Sequence, residues 1–146
     1  MPLKYELPPS LIGKINQATY SYWLRNQSRR HFGRDKGRGN NTITNEKHKI
    51  AIYVAVSQSN GNDQYTGEAL DWSLVRKYDN EKAKKGGRKY KATFALLPTI
   101  DHCDDGLGPA NFKICSWRTN DAKNDLSYSD FVELCCRVIA YAEGKN

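Results

Sequence analysis

The chain has 146 residues, a formal net charge of +7 and a sequence pI of about 9.2. That length suits a single domain with a real core, and an aromatic content of 11% excludes a fully disordered chain. No apolar run approaches the ~20 residues of a membrane span, and the excess of Lys and Arg points to a polyanionic partner, nucleic acid first.

The start, Met1 to Glu6, lacks the apolar stretch of a secretory signal, so a cytoplasmic location with reduced thiols is expected. Adjacent Cys135 and Cys136 make poor disulfide partners on a helix. Ser10 is placed to cap a helix beginning at Leu11. Leu11, Ile15, Ala18 and Tyr22 recur at helical spacing, widened by Ile12, Thr19 and Trp23, and the predicted helix runs to about Arg30. From Arg25 the chain turns basic, with Asp35 as the one nearby acid, and Gly33, Gly37 and Gly39 are expected to break the helix. Arginine offers paired donors to phosphate and to guanine edges. Arg25, Arg29, Arg30, Arg34, Lys36 and Arg38 are therefore assigned as a DNA-contact segment, ahead of a merely solvated face.

Thr44 before Asn45 and Glu46 marks a helix start, so Ile50 to Val56 is predicted helical, although its apolar run fits a strand as well. Ser57 to Gln64 is predicted as a loop. Lys82 to Lys89 is a second basic stretch, loosened by Gly86-Gly87. Its Lys85 and Arg88 either close over substrate phosphates or sit in a solvated insertion, and the sequence supports both equally.

Tyr90 to Ile100 reads as a strand, Asp104 to Pro109 as a turn, Phe112 to Trp117 as a second strand and Thr119 to Lys123 as one or two helical turns. Side chains alternate along a strand, so Asp101 and His102 face opposite ways. Folding the hairpin onto the short helix brings Asp101 towards Asn120. Their oxygens suit a hard divalent cation, and an imidazole suits proton abstraction from water near neutral pH. Each short motif alone is a common solvated feature; their order and spacing together point to chemistry. Ser127 to Asp130 is close to a capping box. Phe131, Leu134, Cys135, Val138 and Ala142 then give one apolar face, expected to pack on the hairpin unit.

Asp101-His102, Asn111 and Asn120-x-x-Lys123 together resemble the HNH, or ββα-metal, nucleases, over roughly Tyr65 to Lys123. Tyr65 to Leu70 is similar to the Thr-Gly segment that precedes the motif in many members. The resemblance implies an α+β fold: an HNH-like hairpin-helix core over residues 63–126, a helical, basic DNA-contact region over 1–62 and a C-terminal helix over 127–146. It implies Asp101 and Asn120 as ligands of Mg²⁺ or Mn²⁺, and His102 as general base. Asn111 matches the residue that orients the base or braces the loop. Lys123 matches the lysine closing the motif and is grouped with the substrate contacts.

Many members hold a structural zinc on two Cys-x-x-Cys pairs. The equivalent positions here are Tyr65, Gly67, Ser116 and Thr119, so no structural zinc is expected. Apolar packing of Trp72, Phe94, Leu96, Ile114 and Trp117 is expected in its place. The implied activity is metal-dependent cleavage of double-stranded DNA, in a restriction-type or mobile-element setting, with a homodimer where both strands are cut. A non-catalytic nucleic-acid-binding module and an RNA-directed nuclease stand as alternatives.

Overall fold

The computed structural model describes residues 3–144. It is an α+β chain with five α-helices and one two-stranded antiparallel sheet among the described residues. Pro9–Leu11 forms a 3-10 turn, and Gly13 follows in the left-handed region at φ 84, so no helix starts at Leu11. Helix α1 (Gln17–Gly37) starts instead where the Asn16 side chain accepts from the Thr19 amide. It also runs past the predicted end. Gly33 and Gly37 stay helical, and a Cβ on either would meet nothing within 4 Å. A glycine inside a helix costs only about 1 kcal/mol. The inward stripe Tyr20, Trp23, Leu24, Ser28, His31 and Asp35, all buried at helical spacing, outweighs that cost. The basic segment is thus the second half of a helix rather than a broken loop.

Thr44 caps helix α2 (Asn45–Ser59) as its sequence predicts. This helix takes in Ser57 to Ser59, which read as loop, because buried Ser59 donates to the Val56 carbonyl and accepts from the Gly61 amide. Helix α3 (Asn80–Ala92), kinked at Gly87, occupies the stretch read as a mobile loop and as the start of a strand. Asp79 caps it, accepting from the Glu81 and Lys82 amides. Strand β1 (Pro98–His102) is accordingly shorter than expected. It pairs with β2 (Phe112–Ser116) in the register Ile100↔Ile114 and His102↔Phe112. Ser116 ends β2 and caps α4 (Trp117–Lys123) through the Thr119 amide.

The core joins α1, α2 and the hairpin through Trp23, Leu24, Ile52, Val56, Ile100 and Ile114, with Trp72 wedged against Trp23 at 5.2 Å between ring centroids. Helix α5 (Tyr128–Ala142) forms with Ser127 as its cap, but none of its residues is buried. Its apolar face does not pack on the hairpin, whose own apolar side is already covered by α2. Among the described residues, no helix is long and apolar enough to cross a membrane.

Candidate active site

The inward stripe of α1 changes character along its length. Its first turns supply core residues, and its last turns carry His31 and Asp35 beneath the end of β1. Asp35 is 2% exposed and accepts from two imidazoles. His102 Nε2 lies 2.9 and 3.0 Å from its two oxygens, and His48 Nε2 lies 2.8 Å from Oδ2. Burial alone would raise the Asp35 pKa; the hydrogen bonds from His102 and His48 outweigh it and hold the carboxyl below its ordinary range. An ionised carboxylate can only accept, so both imidazoles carry their proton on Nε2. On a neutral His102 ring, Nδ1 is then the nitrogen with the free lone pair.

Phe112, directly across the sheet from His102, packs its ring against His102, His48 and His31 at centroid distances of 5.0, 5.2 and 5.4 Å. Burial, followed by the nearby His102 and Arg34, lowers the His31 pKa to about 3, so His31 stays neutral. The 103–111 connection folds back over the Asp35–His102 bond. Asn40 Nδ2 pins it through the Gly106 and Gly108 carbonyls, both at 2.8 Å. Gly106, at φ 75, is required here: a Cβ on it would lie 3.2 Å from His102 Cδ2 and 3.3 Å from Asp35 Oδ1.

Asp101 faces the other way, as strand alternation demands. Its Oδ2 accepts from the Tyr65 hydroxyl at 2.6 Å and from Lys123 Nζ at 3.0 Å. Burial, then this bond, raises the Tyr65 pKa, so the phenol keeps its proton. Asn120 Nδ2 donates to the Ile100 carbonyl at 3.3 Å and to Thr99 Oγ at 3.4 Å. Thr99 Oγ itself donates to the Cys115 carbonyl, so it must accept from Asn120. That fixes the Asn120 amide with Oδ1 free.

Asp101, His102 and Asn120 line one open cleft of ≈ 1580 Å³. Among the described residues, no three His, Cys, Asp or Glu side chains converge as a metal site. The remaining donors, Asp101 Oδ1 and Asn120 Oδ1, are one anionic and one neutral oxygen. That pair fits Mg²⁺ or Mn²⁺, a hard cation that takes oxygen ligands and keeps much of its water. The Tyr65 and Lys123 contacts orient the carboxylate so that one oxygen is left over.

The residues assigned from the sequence fall in different surroundings. Lys123 is buried at the cleft and braces Asp101, so its charge is already engaged by that carboxylate. The Asn111 side chain is exposed, and its carbonyl closes the connection by accepting from the Cys103 amide at 3.1 Å. Holding His102 falls to Asp35 instead. Of the α1 cations, Arg30, Arg34 and Arg38 line the cleft, whereas Arg25, Arg29 and Lys36 do not; neither do Lys85 and Arg88, exposed on α3.

The support of the short helix is also polar where apolar packing was expected. Trp72, Phe94 and Ile114 are buried, but Asp63 makes the join. Its carboxylate accepts from the Tyr65 and Thr66 amides on one side, and from the Ser116 amide and Thr119 hydroxyl on the other. The sequence reading missed Asp35, His48 and Asp63. A signal existed for the first two: Asp35 continues the buried spacing of Tyr20, Leu24, Ser28 and His31, and His48 precedes Ile52, Ala55 and Val56 on the inward face of α2. No family model, curated protein or solved structure matches this chain.

Proposed function

We propose that this chain is a metal-dependent DNA endonuclease of the HNH type, with Pro98 to Lys123 as its ββα core. The observation that carries the reading is the locked imidazole. His102 is tied through Nε2 to buried Asp35, on a strand whose neighbouring residue, Asp101, lines the same cleft with its hydrogen-bond partners on Oδ2 alone. Such a histidine can act only through Nδ1. It takes a proton from water while the water oxygen attacks phosphorus and the bond to the leaving sugar oxygen breaks; that oxygen is protonated from solvent. Asp35 holds the ring and favours the imidazolium formed after proton transfer, so it is a positioning residue. Asp101 Oδ1 and Asn120 Oδ1 would hold Mg²⁺ or Mn²⁺, which when bound neutralises charge on the phosphate and on the leaving oxygen.

One observation favours a binding-only module: Lys123 already supplies a positive partner to Asp101. Incubation with supercoiled plasmid in Mg²⁺, in Mn²⁺ and in chelator separates the two. Nicking that needs the metal, and falls by on the order of a hundredfold in His102→Ala, is the expected result. Wild-type protein that binds the plasmid but leaves it intact in both metals would overturn the hydrolase reading.

A further inference from the structure

Helix α1 presents a ridge to the cleft. Tyr22, Asn26, Arg30 and Arg34 line it at four-residue steps, and Arg38, the residue that caps the helix just past Gly37, continues the line. Residues four apart are neighbours on a helix surface, and each step advances ~6 Å along the axis. Arg30, Arg34 and Arg38 are exposed, and none has a hydrogen-bonded or ion-paired acid among the described residues. The ridge passes within one turn of His31 and Asp35, so it runs beside His102. Asp104, Asp105, Asp121 and Asp125 also line the cleft. A polyanion entering the cleft meets its positive charge on this ridge. At the far end, the Arg76 guanidinium lies 3.8 Å from the Tyr22 ring centroid. Arg76 has φ 68, a left-handed conformation that a side-chain-bearing residue rarely adopts. Stacking on Tyr22 presents its guanidinium as a flat cation lining the cleft.

We infer that the cleft takes the backbone of one DNA strand along the α1 ridge, with Arg30, Arg34 and Arg38 each holding a phosphate and Arg76 stacking on a base beyond them. This rests on the nucleic-acid reading of the same cleft, but binding in chelator tests it without cleavage. A protein that binds along the ridge and never cuts keeps this inference while losing the hydrolase.

The experiment compares two triple variants of one helix that remove equal charge. Arg30→Ala/Arg34→Ala/Arg38→Ala strips the ridge, and Arg25→Ala/Arg29→Ala/Lys36→Ala strips positions off the cleft. Thermal melting checks that both fold. Binding to a short duplex is measured by fluorescence anisotropy over a range of salt. Losing three phosphate contacts should flatten the plot of log K against log salt by about 2.7 units. The off-cleft triple should change the slope by less than half as much. Equal changes in the two triples, or none in the ridge triple, would overturn the ridge. For the platform, Arg76→Lys keeps the charge and loses the plane. It should weaken binding to a base-bearing strand by about tenfold and leave binding to an abasic strand unchanged. Equal effects on both strands would remove the stacking role.

Discussion

Asp35 and Gly106 act at one point from opposite sides: the carboxylate holds His102 Nε2, and the glycine leaves room for the pair to meet under the folded-back connection. Asp35→Asn replaces an acceptor-only group with one that also donates, and His102 loses its tautomer lock. Cleavage should fall by roughly tenfold or more, while ¹⁵N NMR of the His102 ring should show protonation redistributed between Nδ1 and Nε2. An unchanged ring spectrum would mean that Asp35 only fills space. Gly106→Ala should perturb the same ring signals and cost roughly 1–2 kcal/mol for a Cβ in left-handed backbone. Gly108→Ala, with nothing within 4 Å of its Cβ position, should do neither. The opposed directions of Asp101 and His102 were legible in the sequence because alternation is a local property of a strand. The partner of His102 was not, because it lies 67 residues earlier and enters through the fold.

Among the elements, those set by a local cap and a clear period read correctly: α2 behind Thr44, α4 before Lys123, and α5 behind Ser127. Those decided by tertiary burial did not. Helix α1 keeps its glycines because its other face is buried, and Tyr90 stays helical behind the Asp79 cap. The join between the Tyr65 turn and α4 shows what local reading misses. Asp63 is 1% exposed and satisfies donors on two segments that are distant in sequence. Burial alone would raise its pKa; the bonds from Ser116, Tyr65, Thr119 and Thr66 outweigh it and lower the value. Asp63→Ala strands buried donors and should cost roughly 3 kcal/mol or more. A carboxyl whose folded pKa is depressed stabilises above its unfolded value, near pH ~3.9, and that stability is lost as pH falls through the folded value. Chemical denaturation between about pH 5 and 2 should therefore show a shallower acid slope in Asp63→Asn than in wild type. Parallel slopes would mean that Asp63 is not ionised in the folded chain.

For the whole molecule, stability is unevenly distributed. The core gathers α1, α2 and the hairpin around Trp72, whereas α5 leaves Val138 and Ile139 59% and 55% exposed. Val138→Ser/Ile139→Ser should change unfolding free energy by under about 0.5 kcal/mol per site, against roughly 2–5 kcal/mol for Ile52→Ala. Comparable losses in denaturant titrations would show that α5 is packed in solution. The net charge of +7 points to a polyanion, and the gathering of Arg30, Arg34 and Arg38 along one cleft with His102 exists only once α1 and the hairpin meet. The wide separation of Asp35 from His102 also bears on timing. During synthesis α1 emerges before the hairpin and waits for it, so a nascent piece that ends before β1 holds Asp35 without His102, its buried charge still lacking one of the two imidazoles that satisfy it.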